Sequence, residues 1–401
     1  MKILMINVTC GTGSTGRICT DLAEVLSKNG HDVKIAYGRD EVPERYQKYA
    51  IRVGNDFDVN VHALKARLCD AAGFGSKKVT RRFIKWIENY NPDIIHLHNI
   101  HGYYINVEIL FDYLKGCNKK IIWTLHDSWA FTGHTPYCDV ISCDKWKNAC
   151  GNCGLKKEYP KTLFDYSRRN WNKKKELFSG INGMRIVTPS KWLQGLVKES
   201  FLKTYETIVI NNGINTHVFY HRDSNILENY GIKNKFVVLG VSSVWDHMKG
   251  LDDYLELAHL LSDNCKLILV GLTSKQIANL PKKILGIART ESIDELAMIY
   301  SEADVFINLS YCENYPTVNI EALACGTPVL TYETGGSPEI VRKYGGIVVE
   351  KGNIQAVKNK IDEMMKEQLE ISFTPEENDV NYMIKNYLTI YKRANNEENK
   401  S

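Results

Sequence analysis

The sequence contains no long hydrophobic segment. No apolar run in its 401 residues reaches the roughly 18 residues that a transmembrane helix needs. The apolar start at residues 1–8 is too short for the core of a signal peptide, and it leads directly into a glycine-containing loop. Because nothing in the sequence directs export or membrane insertion, we expect a cytoplasmic protein.

Repeats of 20–50 residues, low-complexity linkers and a large net charge are also absent from the sequence. The formal net charge is +4, which is too small to indicate nucleic-acid binding by itself. Hydrophobic residues make up 44% of the chain, a fraction typical of globular proteins. A length of 401 residues is enough for two domains of ordinary size.

Basic residues are concentrated in the N-terminal half of the chain. Residues 62–85 contain seven of them and a single acid, Asp70. The seven are Lys65, Arg67, Lys77, Lys78, Arg81, Arg82 and Lys85. Apolar residues share this stretch, namely Ala63, Leu64, Leu68, Phe74 and Phe83. Such a mixture is typical of a surface that contacts an anionic membrane, and the alternative is a solvated helix face.

Short, nearly all-apolar strands alternate with amphipathic helices along the chain. The pattern begins at residues 2–8 and restarts at residues 236–243, after the segment NNGIN at residues 211–215. Apolar strands separated by helices predict parallel sheets that are covered on both faces. We therefore predict an α/β protein with two doubly wound, Rossmann-like domains that face each other across a cleft.

The predicted domain boundaries follow from this restart of the pattern. Residues 1–210 are predicted to form the N-terminal domain, with a cysteine-rich insert at residues 134–160. Residues 211–378 are predicted to form the C-terminal domain. Residues 379–401 read as a last helix and a frayed tail that pack back on the N-terminal domain.

A glycine loop follows the first predicted strand. Gly11, Gly13 and Gly16 form the pattern G-x-G-x-x-G between this strand and a helix. Glycines there let the backbone approach a phosphate, and the N-terminus of the helix favours negative charge. Because the turn is longer than the tight dinucleotide-binding turn, we favour an anion or sugar loop over an NAD site.

Histidines stand at the ends of two later strands. His126 directly follows an apolar strand, where doubly wound sheets meet their ligands. We interpret it as a functional residue, and the alternative is a histidine that is only hydrogen-bonded at the strand end. His96 and His98 form an H-x-H pair that we interpret as cleft wall rather than as a metal site.

A lysine and two glutamates mark the C-terminal half. Lys249 and Gly250 lie between a strand and a helix, where a lysine can bind a diphosphate through charge-assisted hydrogen bonds worth about 1.5–3 kcal/mol each. Glu313 is expected on a loop and Glu321 on the first turn of the next helix, with seven residues between them. A carboxylate early in a helix is by itself ordinary, because the N-terminus of a helix favours negative charge by up to about 1 kcal/mol.

These motifs occur together in an order that resembles a known family. The order is the glycine loop, the strand-end histidine, NNGIN, Lys249-Gly250 and the two glutamates before ALACGTPV. It resembles the retaining glycosyltransferases of the GT-B fold, in the large family that includes sucrose synthase and bacterial mannosyltransferases. The segments HDSWAFTGH, CDKWKNACGNC and ENYPTVNIEALACGTPVLTYETGGSPE look more specifically like bacterial colanic-acid and capsule-type transferases. The resemblance covers nearly the whole chain.

The resemblance implies a role for each matched residue. Glu313 would hold hydroxyl groups of the donor sugar, and Glu321 would hold the ribose of the nucleotide. Lys249 would neutralise the departing diphosphate, so catalysis would need no metal cofactor. His126 would touch the transferred sugar near its anomeric carbon. The implied donor-binding residues are Gly13, Lys249, Glu313, Tyr315, Thr317, Val318 and Glu321.

The sequence departs from the family pattern at two places. The family usually has an arginine a few residues before the lysine, and this chain has SSVWDHM there. The glycine that is often third after the first glutamate is Pro316, which has no N–H group to donate. The geometry of the diphosphate site therefore cannot be copied from the family.

Four cysteines are packed into sixteen residues. Cys138, Cys143, Cys150 and Cys153 have the spacing C-x4-C-x6-C-x2-C. Four thiolates suit a tetrahedral zinc ion, with Zn–S distances of about 2.3 Å, although the spacing is not that of a standard zinc finger. A structural zinc is one interpretation. Reduced thiols in a small lobe and a disulfide are the others.

The sequence and its resemblance together predict a glycosyltransferase. It would move a sugar with retention from a nucleotide-diphosphate sugar, bound by the C-terminal domain, to a saccharide acceptor on the N-terminal side. The expected pathway is capsule, exopolysaccharide or O-antigen synthesis, with a polyprenyl-diphosphate-linked acceptor at the inner face of the membrane. There are two alternatives. One is a nucleotide-sugar epimerase of similar fold, and the other is a non-catalytic partner subunit, which the absent arginine suggests.

Overall fold

The structure is a computed structural model and describes residues 1–367 and 369–396. These residues form two compact units, each with its own parallel sheet. The first unit contains residues 1–210 and the described residues from 384 onward, and the second contains residues 211–383. The tail expected after residue 396 lies outside the described residues.

The first unit is built on a seven-stranded parallel sheet in the order β3-β2-β1-β4-β5-β6-β7. Its strands are β1 (Lys2–Ile6), β2 (Asp32–Tyr37), β3 (Ala50–Arg52), β4 (Ile94–Leu97), β5 (Lys120–Thr124), β6 (Arg185–Thr188) and β7 (Glu206–Val209). Its helices before residue 211 are α1 (Gly13–Lys28), α2 (Asp56–Cys69), α3 (Lys77–Tyr90), α4 (Val107–Gly116), α5 (Ser167–Phe178) and α6 (Lys191–Glu199). The strand order reverses between β1 and β4, so a crevice is expected at the carboxyl ends of these two strands.

The second unit is built on a six-stranded parallel sheet in the order β10-β9-β8-β11-β12-β13. Its strands are β8 (Phe236–Val241), β9 (Cys265–Val270), β10 (Ile284–Ile287), β11 (Val305–Asn308), β12 (Val329–Tyr332) and β13 (Ile347–Val349). Its helices are α7 (Ile226–Asn229), α8 (Leu251–Leu260), α9 (Ser274–Ile277), α10 (Ile293–Glu302), α11 (Thr317–Ala324), α12 (Ser337–Lys343), α13 (Ile354–Met364) and α14 (Pro375–Asn378). Here the order reverses between β8 and β11.

Both faces of the second sheet are buried. Along β8, Val237 and Leu239 pack into one hydrophobic cluster, and Val238 between them packs into another. Because side chains alternate between the two faces of a strand, a strand that is apolar at every position must be covered on both sides. The predicted doubly wound fold is therefore confirmed.

The last helix, α15 (Val380–Asn396), begins in the second unit and continues into the first. Tyr387 and Tyr391 of this helix pack on the sheet of the first unit through buried hydrogen bonds. The Tyr391 hydroxyl lies 2.6 Å from Nδ1 of His96, and the Tyr387 hydroxyl lies 3.1 Å from Oγ1 of Thr124. His96 Nε2 completes the network at 2.8 Å from Thr124 Oγ1. Both nitrogens of His96 are thus engaged, which argues against an H-x-H metal pair.

Part of the membrane-binding surface that the sequence predicts at residues 62–85 is buried in the structure. Phe74, just before helix α3, and Phe83, within it, are buried in the core of the first unit. The helix is amphipathic, and its apolar face covers the sheet instead of pointing to solvent. The interpretation of these two phenylalanines as surface residues was wrong. Among the described residues, no helix is long and apolar enough to cross a membrane.

Buried histidines should make the first unit sensitive to acid. Burial lowers the pKa of His96 to about 3 and that of His62 to about 4, although hydrogen bonds from the His62 ring to backbone acceptors such as the Ala71 carbonyl oppose the second shift. These imidazoles are neutral in the folded protein and become protonated on unfolding, so their contribution is complete above pH 6.5 and is lost as the pH falls toward 3. For His96 the loss between pH 6.5 and 5 is about 2 kcal/mol.

We therefore expect the unfolding temperature of the first unit, measured by calorimetry, to fall between pH 7 and pH 5. His62→Asn should reduce this pH dependence, because it removes one buried titrating group. The matched control His217→Asn, at an exposed histidine, should retain it. Unfolding temperatures that are equal at the two pH values would contradict the prediction.

Candidate active site

The carboxyl ends of β8 and β11 bring Lys249 and Glu313 together. Lys249 ends a short 3-10 turn, His247–Lys249, that leads into α8. Its Nζ lies 2.6 Å from Oε1 of Glu313, on the loop after β11. Burial alone would lower the pKa of Lys249, but the charge of Glu313 and the hydrogen bond to it outweigh this effect and raise the pKa. The ammonium group is therefore charged at neutral pH.

The backbone conformation after Lys249 requires a glycine at position 250. The φ of Gly250 is +72°, a conformation that residues with a side chain rarely adopt. A Cβ atom at this position would lie 2.2 Å from the carbonyl oxygen of Leu309, which follows β11. The close approach of the two backbones places Lys249 beside the loop that carries Glu313.

Glu321 lies in the second turn of α11, because the helix begins at Thr317, and not in the first turn as the sequence predicts. Its side chain is almost completely buried, and the Tyr300 hydroxyl donates to Oε2 at 3.2 Å. The N-terminal turn of α11, with Thr317 and Val318, presents backbone N–H groups of the kind that bind anions at helix N-termini.

The loop before α11 is anchored on both sides. The Tyr315 side chain is buried in the core of the second unit, so its expected part in donor binding would have to come from the backbone. Its carbonyl oxygen accepts a hydrogen bond from Nδ2 of Asn212, within the NNGIN segment, at 2.9 Å. This bond explains why NNGIN accompanies the loop in the sequence.

A buried polar network holds α11 on the sheet. Asn308 donates from Nδ2 to Oδ1 of Asn319, and Asn319 donates from Nδ2 to Oγ of Ser337, both at 2.9 Å. Thr331 Oγ1 lies 2.7 Å from Oγ of Ser337. Each amide that is satisfied in this way avoids the cost of a buried unpaired polar group, about 1–3 kcal/mol. Sequence analysis missed this network, although an asparagine between apolar residues of a short helix is a signal for it.

The glycine loop of the first unit follows β1. Gly11 and Gly13 have positive φ values of +77° and +64°. A Cβ at Gly11 would lie 2.6 Å from the ring of Tyr46, whereas a Cβ at Gly13 would meet no atom within 4 Å. The side chain of Asn7 joins this loop to the end of β4, by donating to the Thr9 carbonyl at 2.8 Å and accepting from the backbone N–H of Asn99 at 3.2 Å. The backbone at Gly13 is therefore open to a ligand.

His126 lies just after β5 and contacts a second histidine. Its Nε2 is 3.0 Å from Nδ1 of His98, and the two rings are stacked with an angle of 13° between their planes. Burial lowers the pKa of His126 to about 4, although the charge of Asp127 opposes the shift. Asp127 itself pairs with His101, at 2.8 Å. His126 is thus a neutral hydrogen-bonding group at neutral pH.

The contact between the two histidines determines which nitrogen of His126 carries the proton. His98 is buried, and no described residue forms a hydrogen bond with its Nε2. A proton on that nitrogen would be a buried, unpaired donor, which proteins rarely leave. We therefore assign the proton of His98 to Nδ1, which donates to Nε2 of His126. His126 then carries its own proton on Nδ1, with which it can donate.

The four cysteines of the insert line one cavity, together with Gly133 and Trp146. The backbone N–H of Gly133 donates to Sγ of Cys150 at 3.2 Å. The turn from Cys150 to Cys153 contains Asn152 at φ +48°. All eleven cysteines lie within the described residues, and no disulfide joins any two of them. In the same residues no group of three or more His, Cys, Asp or Glu side chains is arranged to hold a metal ion.

The sequence of this chain matches models of two known protein families. Residues 15–218 match the family described as Glycosyltransferase Family 4, and residues 223–386 match Glycosyl transferases group 1. The first match alone covers half of the chain. The protein therefore belongs to Glycosyltransferase Family 4, and it is a glycosyltransferase with the GT-B fold.

Individual relatives agree with this assignment. A putative colanic acid biosynthesis glycosyl transferase, WcaC of Escherichia coli, is 24% identical over 371 residues, 88% of each chain. A Campylobacter jejuni N,N'-diacetylbacillosaminyl-diphospho-undecaprenol alpha-1,3-N-acetylgalactosaminyltransferase is 24% identical over 48% of this chain and 56% of its own length. The solved structure of Anabaena HepE in complex with UDP-glucose is similar in fold, with a TM-score of 0.67 and 16% identity over 98% of this chain and all of that one.

The role of His98 can be tested by two substitutions. In His98→Asn the side-chain amide can replace the Nδ1–H donor, so His126 should keep its proton on Nδ1, as read from the ¹⁵N chemical shifts of the ring. His98→Leu removes the donor and should shift this tautomer equilibrium. It should also reduce sugar transfer by roughly tenfold or more, the scale of one buried hydrogen bond.

Both His98 variants should unfold close to the wild-type temperature if the role is one of positioning. A His98→Leu protein with unchanged tautomer and activity would contradict the assignment. If both variants lose the same amount of stability and their activity per folded molecule is unchanged, His98 is only a packing residue.

Proposed function

We propose that this protein transfers a sugar from a nucleotide-diphosphate sugar to a saccharide acceptor, with retention at the anomeric carbon. The observation that carries the proposal is the ion pair of Lys249 and Glu313, placed at the reversal of strand order and followed by the N-terminus of α11. A cation and a helix N-terminus suit a diphosphate, and a carboxylate suits sugar hydroxyls. The UDP-glucose bound by the Anabaena relative supports a nucleotide-sugar donor.

The donor would occupy the second unit as follows. The diphosphate accepts hydrogen bonds from the N–H groups of Thr317 and Val318, as the macrodipole of α11 favours. Glu321 accepts from the ribose hydroxyls after releasing Tyr300, which donates to it in the structure. Glu313 accepts from hydroxyls of the sugar. Lys249 then turns from Glu313 toward the diphosphate, and this motion couples donor binding to the rearrangement of one ion pair.

The reaction breaks the bond between the anomeric carbon and a diphosphate oxygen. Negative charge accumulates on the diphosphate, and Lys249 stabilises it more in the transition state than in the ground state. The acceptor hydroxyl attacks from the face that the diphosphate leaves, and its proton passes to a diphosphate oxygen. His126 donates a hydrogen bond to the transferred sugar, and the backbone at Gly13 contacts the ligand on the side of the glycine loop.

The acceptor is proposed to be a polyprenyl-diphosphate-linked glycan in capsule, exopolysaccharide or O-antigen synthesis. Two relatives support this, since the name of one refers to colanic acid biosynthesis and the name of the other specifies a diphospho-undecaprenol acceptor. A lipid-linked acceptor would bring the protein to the inner face of the membrane. Catalysis as proposed uses the charge of Lys249 and requires no metal.

A panel of donors tests the proposal directly. One nucleoside diphosphate should raise the free energy of unfolding of the second unit by about 2.7 kcal/mol at one hundred times its Kd, measured by thermal shift. NMR of the product should then show the anomeric configuration of the donor. Conversion of the donor sugar without any acceptor would instead indicate an epimerase, and inversion in the product would contradict retention.

Substitutions in the second unit separate the proposed roles. Lys249→Ala should lower kcat by roughly 10²–10³-fold, as for the loss of one group that stabilises transition-state charge. Glu321→Ala should mainly weaken nucleotide binding, and Glu313→Ala should mainly reduce turnover and discrimination between sugars. Steady-state kinetics and titration with free nucleotide diphosphate distinguish these effects.

Lys343→Ala is the matched control for Lys249→Ala, because Lys343 also forms a 2.6 Å ion pair with a glutamate, Glu377, but at an exposed position. It should keep wild-type turnover. A Lys249→Ala enzyme that is as active as this control would remove Lys249 from the mechanism. An equal loss of nucleotide affinity in Glu313→Ala and Glu321→Ala would contradict the division of roles.

The cysteine cavity is proposed to bind a structural zinc ion through Cys138, Cys143, Cys150 and Cys153. The four thiols surround one space, and the Gly133 N–H group already donates to one sulfur, which would stabilise a thiolate. Because the sulfurs are not placed for ligation in the structure, zinc would have to draw them toward a common point. The ion would order the insert and take no part in sugar transfer.

Protein purified without added zinc should contain close to one zinc per chain by elemental analysis. Cys150→Ser should lose the metal and lower the unfolding temperature of the first unit. Cys117→Ser is the control, since Cys117 lies outside the cavity, and it should retain the zinc. Metal-free protein with four thiols that react with a thiol reagent would refute the site.

A further inference from the structure

Helix α2 carries its largest apolar side chains on the side away from the core. Four of them are exposed to solvent, namely Phe57, Val61, Leu64 and Leu68. The steps of four, three and four residues place them in one stripe along the helix. His62 and Ala66 are buried and lie on the opposite side. The stripe is therefore not part of the packing of the first unit.

A second apolar segment extends this stripe at the C-terminal end of α2. Leu163 and Phe164 are also exposed, and Phe164 retains 59% of its accessible surface. The backbone N–H of Leu163 donates to the Arg67 carbonyl at 2.8 Å, and Thr162 Oγ1 donates to the same oxygen at 3.3 Å. Two apolar side chains are thus held next to the last turn of α2. We call the six exposed side chains the apolar face: Phe57, Val61, Leu64, Leu68, Leu163 and Phe164.

Positive charge borders the apolar face. Lys65 and Arg67 are both exposed. Around the helix axis they lie about 80° from the stripe, one on each side of it. Lys161 is exposed beside Leu163. The acids of α2 are confined to its first turn, where Asp56 pairs with Arg52 and Asp58 forms the capping box with Asn55. The border near the C-terminal end of the helix is therefore cationic.

We infer that the apolar face lies on an anionic membrane, with its side chains inserted at the level of the lipid headgroups and Lys65 and Arg67 bound to lipid phosphates. A contiguous exposed apolar patch usually marks an interaction site. An apolar centre with a cationic border matches a bilayer interface, which offers acyl chains beneath anionic headgroups. The inference rests on the proposed lipid-linked acceptor, and it assigns attachment to α2 and residues 163–164 rather than to the phenylalanines near α3.

Sedimentation with vesicles, without donor or acceptor, tests the inference. Vesicles of phosphatidylcholine with and without phosphatidylglycerol are used at low and high salt. Wild-type protein should bind the anionic vesicles at low salt, and part of it should stay bound at high salt, because apolar insertion is not screened. Phe57→Gln/Leu64→Gln should weaken binding at least tenfold and abolish the salt-resistant part.

Two variants complete the experiment. Leu260→Gln/Ile293→Gln removes two exposed apolar side chains of the second unit and should bind vesicles as the wild type does. Lys65→Gln/Arg67→Gln should reduce binding at low salt and leave the salt-resistant fraction. Light scattering of the wild type shows whether the face instead joins two copies of the chain, in which case the Phe57→Gln/Leu64→Gln variant would become monomeric.

Three results would overturn the inference: wild-type protein that remains in the supernatant at low salt, equal binding by wild type and Phe57→Gln/Leu64→Gln, or a dimer that this variant dissociates. Nucleotide binding by thermal shift is measured on the same samples. Failure of vesicle binding with intact nucleotide binding would reject the membrane face alone. Loss of nucleotide binding by the wild type would instead count against the proposed sugar transfer.

Discussion

The reversal of strand order in each parallel sheet is the constraint on which the candidate functional residues of each unit depend. Neighbouring strands are usually joined by helices that cover one face, and at the reversal the connections leave in opposite directions. In the second sheet this point separates β8 from β11, and the chain that follows each strand carries one partner of the ion pair. In the first sheet it separates β1 from β4, and Asn7 joins the glycine loop to the chain after β4.

The two units use different electrostatics around these points. In the first, desolvation keeps His96, His98 and His126 neutral, so hydrogen bonds rather than charge define that region. In the second, a carboxylate close to Lys249 keeps the lysine charged in spite of partial burial. A neutral donor suits recognition of sugar hydroxyls, and a retained positive charge suits a diphosphate.

Buried hydrogen-bond networks hold both α11 in the second unit and His96 in the first unit in place. Asn319 joins α11 to β11 and α12, so the helix N-terminus cannot shift without breaking satisfied hydrogen bonds. Tyr391 of α15 holds His96 in a similar way, two residues before His98. Because buried polar groups lose water on folding, each must find a partner, and this requirement gives these networks a single geometry.

The sequence by itself determined the doubly wound fold, because the period of apolar residues and the length of each segment are local properties. It also singled out His126 and Lys249, since residues after strands in parallel sheets gather at one edge, and the resemblance to a known family pointed to Glu313 and Glu321. It could not predict that Lys249 binds Glu313, that His98 orients His126, or that Phe74 and Phe83 are buried while Phe57 and Phe164 are exposed. Each of these facts depends on which residues distant in sequence become neighbours. A helix with apolar residues on two sides has no local signal for the side that meets the core, and only the packing of α2 and α3 on the sheet decided it.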